Sequence, residues 1–163
     1  MLLASVLPLA ELDPVEPCLP VGPTFELVGT TLNIVGTAGN DIVTGQVNPA
    51  GQLVINVNEV GYSIPSSLVA HISIDVHCGD DSITLRPSVI QTSGIAAGTG
   101  NDSVSIGGGA SRISGGTGND RLSGGPHGDG IGGGSGRDFI AGNGGATAIP
   151  FLRERATTSC VEC

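Results

Sequence analysis

Three aspartates, Asp102, Asp120 and Asp138, return at intervals of eighteen residues, each embedded in glycine. Their surroundings are AGTGNDSVS (97 to 105), GGTGNDRLS (115 to 123) and GGSGRDFIA (133 to 141). In each, a glycine stands two residues before the carboxylate and a large apolar side chain two residues after it. Such glycines let the chain turn through conformations closed to other residues and bring carbonyl oxygens inward. A carboxylate beside main-chain carbonyls is a hard, all-oxygen donor set. It suits calcium, which accepts about six to eight oxygens in a flexible cage, better than magnesium with its strict octahedron. Asn-Asp and Asn-Gly pairs also build metal-free turns, but a turn alone does not need aspartate at a fixed long interval.

Other chemistries find little support. The net charge of -9, with only six Lys and Arg, repels nucleic acid and anionic membrane surfaces and favours cations. His71, His77 and His127 fall in no metal-ligand spacing, and no HExxH or GxSxG is present. The glycine-rich loops lead into strand patterns, not the helix a phosphate loop requires. No catalytic centre is expected, and the chain is expected not to be an enzyme. Of the cysteines, Cys18, Cys78, Cys160 and Cys163, only the last two have CxxC spacing, which alone does not make a closed zinc site. Whether Cys18 and Cys78 meet is left open by the sequence.

The elements that position the aspartates follow from a period of nine. Ile95, Val104, Ile113, Leu122, Ile131, Ile140 and Ile149 form an unbroken series at that spacing, one inward-pointing side chain per unit. Twenty-eight glycines, three Phe, one Tyr and no Trp suit a thin stacked architecture better than a thick core, and glycine disfavours helices. Residues 1–25 hold five of the ten prolines and are expected to be a leader or linker. Within them MLLASVLPLA is too short to span a bilayer and is either a truncated export signal or a disordered or strand-like terminus. Residues 26–90 form a segment of short strands, with Leu32 and Ile34, then Leu53, Ile55 and Val57, then Ile72, Ile74 and Val76 on buried faces. Residues 91–150 carry the repeat, and the tail 151–163 is expected to be disordered.

GGTGNDRLS and GGSGRDFIA fit GGxGxDxUx, with U a large aliphatic, at every defined position. In these units the chain resembles the RTX (repeats-in-toxin, haemolysin-type calcium-binding) family. The resemblance covers about a third of the chain, and GTAGNDIVT (36 to 44) and VHCGDDSIT (76 to 84) are degenerate copies. It implies an all-β fold, a right-handed parallel β-roll or β-solenoid built from nonapeptides and preceded by irregular short β-strands. Two nonapeptides would make one coil, so that loops on one edge recur every eighteen residues. Asp102, Asp120 and Asp138 then line one edge. The other edge reads Ser111, Asp129 and Thr147, with His127 replacing the fourth-position glycine.

The resemblance further implies calcium ions between successive loops, held by these aspartates, by Asp129 on the depleted edge, and by main-chain oxygens of Gly98, Gly100, Gly115, Gly116, Thr117, Gly118, Gly133, Gly134, Ser135 and Gly136. Asp41 and Asp81 are further candidates. The interval from Asp81 to Asp102 is 21, and a bulge near Arg86-Pro87-Ser88 would absorb the excess. The function implied is calcium binding by a structural or adhesive module of a secreted or cell-surface protein. Its partners would be calcium ions and other extracellular components, with no nucleic acid and no membrane span. The alternative is a fragment of a calcium-dependent extracellular enzyme, either a polysaccharide lyase or epimerase or an RTX exoenzyme.

Overall fold

A run with an aliphatic residue at every second position buries one face of a strand, whereas a helix would scatter the same residues around its axis. The chain obeys the strand rule almost throughout. The computed structural model describes residues 22–144 and 159–161. Its strands are β1 (Thr24–Val28), β2 (Thr31–Val35), β3 (Ile42–Val47), β4 (Gln52–Val57), β5 (Val60–Pro65), β6 (His71–Asp75), β7 (Ser82–Leu85), β8 (Thr92–Thr99), β9 (Ser103–Ile106), β10 (Ser111–Thr117), β11 (Arg121–Ser123), β12 (Gly130–Ser135), β13 (Phe139–Ala141) and β14 (Ser159–Val161). A single 3-10 turn, Ser66–Leu68, interrupts them. Among the described residues no helix is long and apolar enough to cross a membrane.

The strands form two sheets, ordered β1-β2-β6-β8-β10-β12 and β14-β13-β11-β9-β7-β3-β4-β5, and from β5 to β13 the chain alternates between them. Within each sheet the repeat strands pair in parallel with partners eighteen residues away: Ile113 lies between Ile95 and Ile131, and Leu122 between Val104 and Ile140. Two nonapeptides therefore close one coil, and the molecule is a parallel β-solenoid. The stack extends back through the segment with degenerate repeats, since β6 and β7 pair in parallel with β8 and β9, and β2 and β3 with β6 and β7.

Two irregularities mark its early part. Partners across β6–β8 and β7–β9 lie 21 residues apart. The excess sits between β7 and β8, in a loop turned by Val89 N–H donating to the Arg86 carbonyl at 2.9 Å, where the sequence led one to look for it. The interval from β3 to β7 is longer still, because β4 and β5 fold back antiparallel on β3 before the chain returns. Strand β1 lies antiparallel on β2 and closes the same end of the other sheet.

The core is a file of aliphatic side chains. Ile95, Ile113 and Ile131 from one sheet and Val104, Leu122 and Ile140 from the other are all buried, as are Leu32, Ile34, Leu53, Ile55, Val57, Ile72, Ile74 and Val76. Ile149, the last member of the period-nine series, lies outside the described residues. At the start of the stack Phe25 and Tyr62 are partly buried against the core and stack with ring centroids 5.3 Å apart. Of the tail 151–163, only 159–161 are described: there β14 adds a parallel strand to β13 and pairs Phe139 with Ser159, and the rest of the tail lies outside the described residues.

Full burial of such aliphatics stabilises by about 1.5–3 kcal/mol each. Leu122→Ala is expected to cost about 2–5 kcal/mol, because the neighbouring coils close the space only partly. Ile90→Ala, at a side chain 76% exposed, should stay within about 0.5 kcal/mol. Urea unfolding of the two variants checks the contrast.

Candidate metal-binding edge

On one edge, each chain passage from the first sheet to the second makes a turn of the form seen in the repeats. The turns stack so that Asp41, Asp81, Asp102, Asp120 and Asp138 form one column, each at most 2% exposed. Each later carboxylate accepts, on Oδ1, the backbone N–H of the aspartate one coil earlier. The distances are 2.7 Å for Asp41 to Asp81, 2.8 Å for Asp81 to Asp102, 2.9 Å for Asp102 to Asp120 and 3.0 Å for Asp120 to Asp138. The two outlying copies thus join the same edge as the three core repeats.

A second column runs beside the first in the opposite sense. The residue before each aspartate donates its N–H to the side-chain oxygen one coil earlier: Asp80 to Asn40 at 2.9 Å, Asn101 to Asp80 at 2.7 Å, Asn119 to Asn101 and Arg137 to Asn119 at 3.0 Å. Every junction is stitched by two reciprocal bonds from neighbouring residues. The fifth position of the unit reads as a free position in the motif, so this column was not anticipated. The recurrence of Asn40, Asn101 and Asn119 directly before an aspartate was the available signal.

The other carboxylate oxygen divides the aspartates into two kinds. Oδ2 of Asp81, Asp102, Asp120 and Asp138 is buried and has no hydrogen-bond partner among the described residues. Oδ2 of Asp41 instead accepts the N–H of Thr37 at 2.7 Å, four residues earlier in its own turn. The difference tracks the backbone. The second and fourth positions of the open turns, such as Gly116 (φ 113) and Gly118 (φ 128), take positive φ, and His77 does so at φ 60 in the Asp81 turn. Thr37 and Gly39 do not, and the donor four residues back stays in reach of the carboxylate.

The open turns bring main-chain oxygens together. The carbonyls of Gly98 and Gly100 lie directly against Gly116 and Gly118 of the next coil, and those of Gly116 and Gly118 against Gly134 and Gly136, each in space that a Cβ would claim. Gly115 faces Asp120 Oδ2 and the carbonyl of Gly133 in the same way, a Cβ there lying 2.5 Å from that carbonyl. Gly133 faces Asp138 Oδ2. A small cradle lined by carboxylate and carbonyl oxygen therefore sits beside Asp120. The equivalent first positions of the Asp102 and Asp81 turns carry Ala97 and Val76, both buried. The carbonyls of Thr117 and Ser135 accept N–H from Gly100 and Gly118 at 2.9 and 2.8 Å, which occupies one of the two lone pairs on each.

Burial pushes three of the column's carboxyls upward. Asp81 is raised to about 7 and Asp120 to about 6, Asp102 is raised as well, and loss of hydration is the largest cause in each. The backbone N–H on Oδ1 works against that rise. Neighbouring charges add to it, from Asp102, Asp41 and Asp80 on Asp81 and from Asp102 and Asp138 on Asp120.

The opposite edge is built differently. Asp129 accepts Ser111 N–H on Oδ1 at 2.8 Å and Gly125 N–H on Oδ2 at 2.9 Å, so both its oxygens are engaged. His127 places Nδ1 2.8 Å from the Gly108 carbonyl, and the Ser111 and Ser93 hydroxyls bond at 2.8 Å. Thr147 lies outside the described residues. Near the aspartate edge, Cys78 is disulfide-bonded. Among the described residues no group of three or more His, Cys, Asp or Glu side chains is gathered for a metal ion, so any ion on the aspartate edge would draw on carbonyls as well as carboxylates. Compared with known proteins, the chain matches no family model, no curated protein and no solved structure.

The raised carboxyls set a pH dependence. Between about pH 4 and pH 7 the folded chain holds protons on Asp81 and Asp120 that the unfolded chain has released. Folding stability therefore falls as pH rises through this window, and below it the two states are protonated alike. With divalent cations chelated, the β-content of the chain should be greater at pH 5 than at pH 8, as followed by circular dichroism.

Proposed function

We propose that the chain is a calcium-responsive structural or adhesive module of a secreted or cell-surface protein, whose repeat coils fold when calcium is bound along the aspartate edge. The observation that carries this is the column of buried Oδ2 atoms without partners on Asp81, Asp102, Asp120 and Asp138. A buried, unpaired carboxylate oxygen is costly, and four in register on one edge call for a common counter-charge. The donor types fit a hard cation, and resemblance to the RTX nonapeptide favours calcium.

When bound, calcium would supply the positive charge that these oxygens lack and tie successive coils together. The chain's part is to hold the oxygens in place. The Oδ1 bonds fix each carboxylate, the turn glycines admit the carbonyls, and the paired strands set the distance between rungs. The gaps between Asp102 and Asp120 and between Asp120 and Asp138 combine the most glycine with the fewest intruding side chains, and they are the strongest candidate sites. Gly98, Gly100, Gly115, Gly116, Thr117, Gly118, Gly133, Gly134, Ser135 and Gly136 would contribute main-chain oxygen there. The gap between Asp81 and Asp102, bordered by Val76, His77 and Ala97, would be weaker. Asp129 already accepts one N–H on each oxygen, which favours a structural part for it over the metal-binding role that the resemblance implies.

Calcium titration followed by circular dichroism tests the proposal. β-Content should rise with a midpoint on the order of 10⁻⁴ to 10⁻³ M, and magnesium should substitute poorly. Equal β-content in excess chelator and in millimolar calcium would refute it. Calorimetric titration of variants tests the site list. Asp120→Asn keeps an acceptor for the Asp102 N–H and should abolish both strong sites, whereas Asp102→Asn or Asp138→Asn should abolish one. Gly115→Ala, whose Cβ would press on Asp120 Oδ2 and the Gly133 carbonyl, should lower the stability of that junction and weaken binding beside Asp120. Asp129→Ala should lower stability by about 1–3 kcal/mol through its stranded donors and leave the number of ions unchanged.

A further inference from the structure

Asp41 opens the aspartate column, and its carboxylate is satisfied unlike any of the four that follow. Oδ1 accepts the Asn58 side-chain amide at 2.8 Å and the Thr37 hydroxyl at 3.0 Å, while Oδ2 accepts the Thr37 N–H at 2.7 Å. Asn58 is itself held firmly. It sits in the turn between β4 and β5 at φ 55, donates its N–H to the Ile42 carbonyl at 2.8 Å and accepts the Ile42 N–H on Oδ1 at 2.8 Å. Elsewhere in the column a neighbouring coil occupies a backbone group of this kind and reaches the aspartate beside it. At Asp41 one asparagine does both.

The rest of this end is complete in the same sense. Strands β1 and β5 close the two sheets with antiparallel pairing. Leu32, Ile34, Val43, Leu53, Ile55 and Val57 are buried, and the Phe25–Tyr62 stack lies against them. No carboxylate oxygen within this unit lacks a partner among its buried atoms, whereas every later rung of the column has one that does.

We propose that the first coil, locked by Asn58, is a cation-independent cap on which the later coils assemble, so that folding runs in one direction from the Asp41 end. The second half of this statement rests on the calcium dependence proposed above; the first half does not. An antiparallel meander has short-range contacts and can form before the parallel coils, whose closure must span longer stretches of chain. Once formed, it offers β2 and β3 as templates for β6 and β7.

Hydrogen exchange of the full chain, read by mass spectrometry in excess EGTA and in millimolar calcium, tests the cap. In EGTA the amides of Thr31–Pro65 should stay protected while those of Thr92–Ala141 exchange freely, and calcium should protect both. Asn58→Gly retains a residue at ease with positive φ and deletes only the side chain. It should speed exchange of 31–65 in EGTA by about tenfold or more, the effect of losing a bond to a buried carboxylate in a locally opening unit. Asn58→Asp, which sets a second carboxylate against Asp41, should do the same. Free exchange of 31–65 in the unaltered chain in EGTA, or protection there indifferent to both substitutions, would overturn the cap. If instead 92–141 is protected in EGTA and calcium changes nothing, the calcium dependence and the directional assembly fall together, and the behaviour of 31–65 separately decides the cap.

Discussion

Main-chain pairing sets coils of a parallel solenoid about 4.8 Å apart, and that interval, not the preference of any side chain, decides how close the stacked aspartates come. Their carboxylates are enclosed, aligned and like-charged, and four of them keep an oxygen that no group among the described residues satisfies. Everything on that edge can be understood as accommodating this arrangement. Glycines thin the turns so that carbonyls approach, and reciprocal bonds at the two residues of each junction stop the carboxylates from rotating away to water. The raised pKa values of Asp81, Asp102 and Asp120 are the electrostatic expression of the same enclosure.

The two edges show what happens when the enclosure is solved internally. At Asp129 the turn's own Gly125 N–H reaches back to Oδ2 while Ser111 of the preceding coil donates to Oδ1, and at Asp41 the Thr37 N–H fills Oδ2 in the same way while Asn58 donates to Oδ1. For Oδ2 these turns are self-contained. The open turns exchange that self-sufficiency for a reliance on something outside the chain, and the exchange is made by backbone dihedrals at two positions, without any change in the aspartate itself.

Much of this was legible in the sequence because a period of nine is a physical statement: one buried aliphatic per short strand and one turn per strand. That period placed Ile95 to Ile140 in the core, and the resemblance to the RTX unit, in which two nonapeptides close one coil, implied that Asp102, Asp120 and Asp138 share one edge. The loop at Arg86 to Gln91 was also foreseeable, since an interval of 21 in a lattice of eighteen must bulge somewhere. Other features were hidden for identifiable reasons. The antiparallel β4 and β5 stretch the interval between Asp41 and Asp81 to forty residues, so no count of nines joins them to the column. The difference between open and closed turns resides in φ angles that GTAGND and GTGND do not spell out, and His77 takes by conformation a place that composition would assign to glycine. The asparagine column was overlooked because the motif treats its position as free.

A repeat that reads alike at every coil has an indexing problem, for a strand shifted by one whole coil would meet the same partners and bury the same aliphatics. Translational degeneracy of this sort exists among β8 to β13, where successive pairings are all offset by eighteen. The Arg86–Gln91 loop breaks it. Pro87 lies against Gly107 of the following coil, its Cδ 2.9 Å from where a Cβ on that glycine would stand, and the carbonyls of Val89 and Gln91 crowd Gly108 and Gly109. Only the coil that begins with three successive glycines, Gly107 to Gly109, has room beneath that bulge. The loop and the glycine triplet act as key and keyway, an alignment mark that gives an otherwise uniform ladder a single correct numbering.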